Sequence, residues 1–96
     1  MRIIFMGTAN FALTILKKLV DRKHEIIAVY TQPPRPSGRG KKIKTGPVGS
    51  FASEIGIRII SPENFSHLYD LRVFKALRAD IVIVAEYGLI LPRDLL

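Results

Sequence analysis

Apolar residues follow two alternating patterns along this chain. Short runs rich in β-branched and aromatic residues predict four strands, at residues 2–6, 25–31, 57–60 and 80–85. Between these runs, apolar residues recur at three- and four-residue spacing, which predicts helices over residues 11–21, 48–55 and 68–77. Strand and helix therefore alternate regularly, and the last strand is followed by a loop at residues 86–92.

Local signals mark where the predicted helices begin and end. The side-chain oxygen of Thr8 or Asn10 is expected to cap the first helix. Gly56 is expected to end the second helix, because glycine readily adopts the left-handed conformation that follows many helices. Pro92 is well placed to open a further helix, since the N–H that proline lacks is not needed at that position.

The predicted strands are apolar nearly throughout and do not alternate with polar residues. This pattern is typical of a parallel sheet covered on both faces, and it predicts an α/β fold with a Rossmann-like, doubly wound sheet. Right-handed crossovers then place a ligand cleft beyond the carboxyl ends of the first and fourth strands. Only a loop and the four residues after Pro92 follow the fourth strand, too few for a helix that covers it, so we expect an incomplete sheet and read residues 1–96 as the beginning of a longer protein.

Length and composition restrict the class of protein. Ninety-six residues, 48% of them hydrophobic and 24% charged, suit one small globular domain. The chain has no cysteine, which excludes disulfides and thiolate metal sites. No apolar stretch approaches the roughly 18–20 residues of a membrane span, and the first residues lack the pattern of a signal peptide. We expect a soluble, cytoplasmic protein without a membrane partner.

Most of the net charge of +7 lies in residues 33–45, which we call the basic arm. No acidic residue occurs between Glu25 and Glu54, whereas five basic residues do: Arg35, Arg39, Lys41, Lys42 and Lys44. Without these five, ten basic residues oppose eight acidic ones and the net charge falls to +2. A polyanionic partner and a solvated, mobile loop both explain such a segment, and charge alone does not choose between them.

Several common sites are missing from the sequence. The turn after the first strand has one glycine, Gly7, where a dinucleotide-binding loop needs three, and no acidic residue follows the second strand to hold a ribose. A nicotinamide-dependent dehydrogenase is therefore not expected. His24 and His67 lack partners at catalytic or metal-binding spacing, so we predict surface or structural roles for them and no metal site.

Three bulky apolar residues, Leu89, Ile90 and Leu91, occupy a loop position where polar residues are usual. One interpretation is that they pack beneath a following helix. The other is that they form an apolar wall for a flat, ring-shaped ligand whose polar edges are read by backbone groups of the loop. Both interpretations remain open on physical grounds.

Three stretches taken together resemble one known family. RIIFMGTANFA at the start of the chain, VYTQPPRPSGRGKK around the basic arm and ADIVIVAEYGLILP at the fourth strand are similar to the N-terminal domain of the methionyl-tRNA formyltransferases. The resemblance covers essentially the whole chain. Its middle motif is the most specific, because other transferases that use 10-formyltetrahydrofolate share the outer patterns but lack this arm.

The resemblance implies an activity, a co-substrate and two partners. Members of the family transfer a formyl group from 10-formyltetrahydrofolate to the amino group of methionine on initiator tRNA. Their loop after the fourth strand lines the folate pocket, and it corresponds here to Tyr87, Gly88, Leu89, Ile90, Leu91 and Pro92. Their arm reaches the tRNA acceptor stem, which assigns tRNA contacts to Arg35, Arg39, Lys41, Lys42 and Lys44. Gly7 and Thr8 correspond to residues beside the acceptor substrate, and no DNA partner is implied.

The resemblance further implies that a catalytic Asn, His and Asp, and a C-terminal tRNA-binding domain, lie beyond Leu96. Residues 1–96 would then be the N-terminal portion of the catalytic domain and inactive alone, so no catalytic residue is assigned. The chain departs from the usual family pattern at Ala9 and Asn10, at Glu86, and at Gly46-Pro47-Val48-Gly49, where the family commonly has SPVK. A sugar or nucleotide N-formyltransferase on the same scaffold and a non-catalytic RNA-binding module are the alternatives.

Overall fold

The computed structural model describes residues 1–37, 42–44 and 46–95. Its strands are β1 (Arg2–Gly7), β2 (Glu25–Tyr30), β3 (Arg35–Ser37), β4 (Lys42–Lys44), β5 (Ile59–Ile60) and β6 (Ile81–Ala85). Its helices are α1 (Asn10–Asp21), α2 (Pro47–Glu54) and α3 (Leu68–Ala76), and a single 3-10 turn follows at Arg93–Leu95.

Four parallel strands form the main sheet, in the order β5-β2-β1-β6. β1 pairs with β2 on one side and with β6 on the other. The chain therefore runs outward from β1 to one edge of the sheet and then crosses back to the opposite side of β1. The predicted α/β fold with a Rossmann-like, doubly wound sheet is confirmed, and its switch point lies at the carboxyl ends of β1 and β6.

Successive side chains of β1 point to opposite faces of the sheet, and both faces are apolar. On one face, Phe5 and Val29 of the sheet form a buried cluster with residues of α1 and α2, namely Ala12, Leu16, Val48 and Ala52. On the other face lie Ile4, Met6, Tyr30, Phe65 and Tyr87, against which Phe74 of α3 packs. A sheet that is covered on both faces has no solvated side, which explains why its strands are apolar throughout.

The prediction of a side-chain cap on α1 is wrong. Ala9 occupies the N-cap position, and no side chain makes a capping hydrogen bond there. The Thr8 hydroxyl donates instead to the carbonyl oxygen of Tyr87, and Asn10 is already the first residue of the helix. A tertiary hydrogen bond has thus taken the group that the local pattern assigned to the helix.

The other two helix-end predictions have different outcomes. Gly56 follows α2 with a φ of +79°, which confirms that a left-handed glycine ends that helix. After Pro92 the described chain forms only one 3-10 turn, in which the Leu95 N–H donates to the Pro92 carbonyl at 3.0 Å. The sequence barely starts the helix expected at Pro92, and a single 3-10 turn is what the structure shows there.

The basic arm contains a pairing that the sequence pattern did not predict. β3 and β4 run antiparallel, with Arg35 opposite Lys44 and Ser37 opposite Lys42. Arg39 and Lys41, which were also assigned to tRNA contact, lie outside the described residues. The backbone positions of three of the five basic residues are thus held side by side in a two-stranded ribbon.

β6 is the outermost strand on its side of the main sheet. The side chains of Ile81 and Val84 on this strand are 42% and 49% exposed. These values agree with the expectation that the fourth parallel strand is left partly uncovered.

Candidate functional site

Segments that follow three strands meet at the carboxyl edge of the sheet. After β1, the Thr8 N–H donates to the Glu86 carbonyl at 3.1 Å, and the Thr8 hydroxyl donates to the Tyr87 carbonyl at 2.8 Å. Both acceptors lie in the loop that follows β6. Thr8 therefore fixes the backbone of residues 86 and 87 at the switch point of the fold.

The segment after β2 joins the same group through Gln32. Its backbone N–H donates to the Thr8 hydroxyl oxygen at 3.3 Å, and its side-chain Nε2 donates to the Tyr87 carbonyl at 2.9 Å. The Tyr87 carbonyl thus accepts hydrogen bonds from two side chains. We call this arrangement of Thr8, Gln32 and the Tyr87 carbonyl the Tyr87 clamp.

Gly88, the next residue after the clamp, is constrained in two ways. Its φ is +91°, a conformation that L side chains rarely adopt. A Cβ at this position would also overlap Nε2 of Gln32 and lie 3.3 Å from its Cδ. Glu86 on the other side of Tyr87 has a φ of +48°, so the loop leaves β6 through two left-handed residues.

Gly7 has a structural role at the end of β1. It is buried, and a Cβ there would lie 2.6 Å from the Ala12 Cβ and 2.7 Å from the Ala85 carbonyl oxygen. The absence of a side chain lets β1, β6 and the start of α1 approach one another closely. The assignment of Gly7 and Thr8 to the acceptor substrate remains a prediction, and any contact by Gly7 would be through its backbone.

The residues of the predicted folate wall divide into two groups. The Tyr87 side chain is 2% exposed, and its ring lies 6.4 Å from that of Phe65. Leu89 and Leu91 are partly buried against the same apolar cluster, whereas Ile90 is 92% exposed. The loop thus packs inward through three side chains while Gly88 and Ile90 remain accessible to a ligand.

Two tyrosine hydroxyls are buried near this site. Neither the Tyr30 nor the Tyr87 hydroxyl has a hydrogen-bond partner within the described part of the chain. Burial raises the pKa of Tyr30 to about 12 and raises the pKa of Tyr87 as well. Both phenols are therefore neutral near pH 7 and are poorly suited to proton transfer there.

Both ends of the basic arm start beside Thr8. At the first end, Gln32 immediately precedes the arm and is bonded to the Thr8 hydroxyl. At the other end, a Cβ on Gly46 would lie 3.8 Å from the Thr8 carbonyl oxygen. The residues that flank the arm on its two sides thus both lie near Thr8, which also holds the loop after β6.

Gln32 lies within the VYTQPPRPSGRGKK motif, but the sequence assigned it no role, and the Tyr87 clamp was not predicted. The available signal was its position, because a polar residue just after a parallel strand lies at the ligand-binding edge of such a sheet. Its partner is 55 residues away in the chain, and no local pattern connects the two.

The described residues meet neither the requirements of a metal site nor those of a membrane-spanning helix. Within residues 1–37, 42–44 and 46–95, no group of three His, Asp or Glu side chains is placed to hold a metal ion. His24 and His67 are exposed, in agreement with their predicted surface roles. In the same part of the chain, no helix has both the length and the apolar character needed to cross a membrane.

The carboxyl edge of this Rossmann-like sheet therefore carries an apolar loop, and a segment rich in positive charge begins beside it. This arrangement is typical of a ligand-binding site at the switch point of the fold. Residues 1–96 match the family model described as Formyl transferase along their whole length. The chain belongs to the formyl transferase family.

Curated relatives carry a more specific name. Proteins named methionyl-tRNA formyltransferase from Paramagnetospirillum magneticum, Gluconobacter oxydans and Sinorhizobium fredii are 46%, 47% and 45% identical to this chain. Each match covers 100% of this chain but 32%, 32% and 31% of the respective relative. The chain thus spans about a third of the length of these relatives.

Proposed function

We propose that the intact protein transfers a formyl group from 10-formyltetrahydrofolate to the amino group of methionine on initiator methionyl-tRNA, in the cytoplasm at the start of translation. One observation carries the proposal: Thr8, at the switch point of the sheet, is hydrogen-bonded both to the loop after β6 and to Gln32, the residue that directly precedes the basic arm. A polyanion held by the arm and a flat ligand held by the loop would therefore meet at one place. The names of the relatives support the same pair of substrates.

The loop after β6 has the properties that a folate ring requires. Gly88 is exposed, so a flat ring can contact its backbone on the side that the Gln32 amide does not occupy. Ile90 supplies exposed apolar surface, and burying such a side chain against a ligand contributes about 1.5–3 kcal/mol. Partly buried Leu89 and Leu91 support the loop from below. In this proposal Gly88 and Ile90 contact the folate, while Tyr87 and the two leucines shape the surface.

The basic arm has the properties that a nucleic-acid backbone requires. Arg35, Lys42 and Lys44 belong to the paired ribbon, and Arg39 and Lys41 add two further positive charges. Phosphate contacts of this kind position a nucleic acid without reading its sequence. We assign the arm to the acceptor stem of the tRNA.

The reaction forms a bond between the methionine nitrogen and the formyl carbon, and it breaks the bond between that carbon and the folate nitrogen. A donor must stabilise the oxyanion of the tetrahedral intermediate, and the departing folate nitrogen must receive a proton. Neither role is assigned to a residue of the described chain. The residues identified here bind and orient the substrates.

An assay of the intact protein with three acceptors tests the proposal. With 10-formyltetrahydrofolate as donor, we expect formylation of methionyl-tRNA and no formylation of an amino sugar linked to a nucleotide or of free methionine. Formylation of the sugar nucleotide alone would replace the proposal by the alternative transferase. Binding of tRNA without any formyl transfer would instead favour a non-catalytic RNA-binding module.

A further inference from the structure

We infer that Gln32 is a positioning residue that joins the basic arm to the loop holding the folate. It sets the conformation of Tyr87 and Gly88, and through the arm it makes folate affinity depend on whether a polyanion is bound. This inference rests on the proposed function and adds to it a residue that neither the family resemblance nor the sequence pattern assigned.

The first step is the geometry of the Gln32 side chain. Its Nε2 donates to the Tyr87 carbonyl at 2.9 Å, at the centre of the turn between Glu86 and Gly88. A carbonyl requires a donor, so the amide nitrogen rather than its oxygen must face this group. Glutamate would present an acceptor to an acceptor, and leucine would leave the Tyr87 carbonyl with the Thr8 hydroxyl as its one remaining side-chain donor of the clamp. The chemistry of the site thus specifies an amide.

The second step is that the loop leaves space for this amide. A Cβ on residue 88 would overlap Nε2 of Gln32 and lie close to its Cδ, so the amide occupies the space that a side chain would fill. The left-handed conformation of Gly88 then directs the following residues outward, toward exposed Ile90. Loss of the Gln32 amide would remove one of the two side-chain hydrogen bonds that hold the turn presenting Gly88 and Ile90.

The third step connects the clamp to the arm. Pro33 and Pro34 follow Gln32 directly, and proline restricts both its own φ and the conformation of the residue before it. A displacement at the start of the arm is therefore transmitted to the Gln32 backbone, whose N–H bonds to the Thr8 hydroxyl. Gly46, the residue after the arm, also lies near Thr8, since a Cβ there would be 3.8 Å from the Thr8 carbonyl oxygen. We expect a polyanion bound to the arm to act on the clamp through Gln32.

Thermodynamic linkage then requires a reciprocal effect. If a polyanion on the arm favours the closed clamp, it must raise the affinity for folate, and folate must raise the affinity for the polyanion by the same factor. Gln32 is the residue through which this coupling passes.

The test measures binding of 5-formyltetrahydrofolate, a folate that is not a formyl donor in this reaction, to the intact protein by calorimetry. In Gln32→Leu we expect the Kd to rise about tenfold, as for the loss of a hydrogen bond that holds a binding loop. Glu54→Leu, an exposed substitution of similar size near the end of α2, is the matched control and should leave the Kd unchanged. An unaltered Kd in Gln32→Leu would overturn the inference.

Coupling is measured by repeating the titration with saturating methionyl-tRNA. For the unchanged protein we expect the folate Kd to fall at least about fivefold, and for Gln32→Leu we expect the ratio of the two Kd values to approach one. An equal ratio in both proteins would overturn the role of Gln32 in coupling. A purely structural role would lower stability without changing this ratio.

A double-mutant cycle tests the space shared by Gln32 and Gly88. Gly88→Ala should weaken folate binding in the unchanged background more than in Gln32→Ala, because the overlapping amide is absent there. Additive effects would contradict the proposed geometry, and circular dichroism identifies any variant that fails to fold. If Gly88→Ala does not fold, Gln32→Glu replaces it and should weaken folate binding at least as much as Gln32→Leu.

The outcomes separate this inference from the proposed function. If the unchanged protein does not bind 5-formyltetrahydrofolate, the proposed function fails and the inference fails with it. If the unchanged protein binds the folate and the Gln32 variants bind it equally well, only the inference fails.

Discussion

At the scale of single residues, the site region holds two phenols in an unusual state. Tyr30 and Tyr87 are almost completely buried, and their hydroxyls have no partner within the described residues. Their rings are nevertheless well placed, since Tyr30 stacks on Phe65 at 5.8 Å and meets Phe74 edge-on at 6.0 Å. The rings therefore stabilise the fold, whereas the hydroxyls oppose it.

Replacing Tyr30 by phenylalanine should keep the ring contacts and remove the buried hydroxyl. We expect Tyr30→Phe to leave the free energy of unfolding unchanged or to raise it by up to about 1 kcal/mol, measured by urea unfolding at pH 7. Tyr69→Phe is the matched control, because the Tyr69 side chain is 75% exposed. A clear loss of stability in Tyr30→Phe alone would mean that the hydroxyl has a partner.

The same hydroxyl predicts a dependence on alkaline pH. Burial raises the pKa of Tyr30 from 10.0 in the unfolded chain to about 12, so the folded state favours the neutral phenol. Below pH 10 the free energy of unfolding does not depend on this group's titration. It falls as the pH rises toward 12, because the unfolded chain releases the phenol proton at a lower pH than the folded chain. The urea midpoint should fall over this range, and it should fall less in Tyr30→Phe than in the unchanged protein. An identical decline in both proteins would contradict the assigned pKa.

A side chain at position 7 is expected to destabilise the fold, because two of the three groups it would meet belong to other elements. A methyl group there would meet a side chain of α1, the ring of Phe5 and a backbone carbonyl of β6 at less than 3.0 Å. We expect Gly7→Ala to lower the free energy of unfolding by about 1–3 kcal/mol, because a backbone carbonyl cannot move aside easily. Gly46→Ala is the control, since its nearest neighbour would be 3.8 Å away, and equal effects of the two substitutions would refute this reason.

At the scale of elements, the start of β1 holds the end of α3. The Arg2 side chain donates to the carbonyls of Leu77 and Arg78 at 2.8 and 3.2 Å, and its backbone N–H donates to the Asp80 carboxylate. These carbonyls belong to the C-terminal end of the helix, where the dipole favours a positive charge. Arg2 thus joins the helix to the central strand before the chain enters β6.

This contact predicts a modest stabilisation. Arg2→Met should lower the free energy of unfolding by about 1 kcal/mol, because it removes the bonds from the guanidinium while the backbone bonds of residue 2 remain. Arg72→Met, on an exposed position of α3, is the control. If both substitutions have the same small effect on the urea midpoint, Arg2 does not hold the helix end.

The basic arm is the second element with a measurable consequence. Each phosphate contact that is lost should reduce the slope of log K against log salt concentration by about 0.7–0.9. Arg39→Ala and Lys42→Ala in the intact protein should therefore each weaken methionyl-tRNA binding and flatten its salt dependence. Lys75→Ala, an exposed lysine on α3, should do neither. An unchanged slope in the arm variants would argue that the arm is only solvated.

At the scale of the whole molecule, the site is assembled from segments that are far apart in the chain. Thr8, Gln32 and Tyr87 follow three different parallel strands, and the sheet brings the ends of those strands to one edge. Ile90 lies exposed in the loop at this edge, and its neighbours Leu89 and Leu91 pack against the apolar core. The apolar surface for a ligand exists only because the strands have this order.

Ile90 provides the test at this scale. Ile90→Asp should raise the Kd for 5-formyltetrahydrofolate by at least about tenfold in the intact protein, because a charged group replaces apolar contact surface. Stability should change little, since the side chain is 92% exposed. Ile55→Asp, which is also an exposed isoleucine but follows α2, should leave folate binding unaltered. Unchanged folate binding in Ile90→Asp would remove Ile90 from the site.

Much of the fold followed from the sequence for a simple reason. Strands that are buried on both faces must be apolar throughout, and helices that cover them must be apolar on one side, so hydrophobic spacing alone predicts a doubly wound parallel sheet. The basic arm was equally visible, because its charge is concentrated in one stretch that contains no acidic residue. These are properties of neighbouring residues, and the sequence by itself determined them.

The tertiary structure decided which polar groups meet. Thr8 looked like a helix cap, and Gln32 looked like an ordinary strand end, yet both donate to the carbonyl of Tyr87. Gly88 has no side chain because the amide of a residue far away in the chain occupies that space. Hydrogen bonds between distant segments depend on strand order and register, which leave no periodic trace in the sequence, so only the folded chain reveals them.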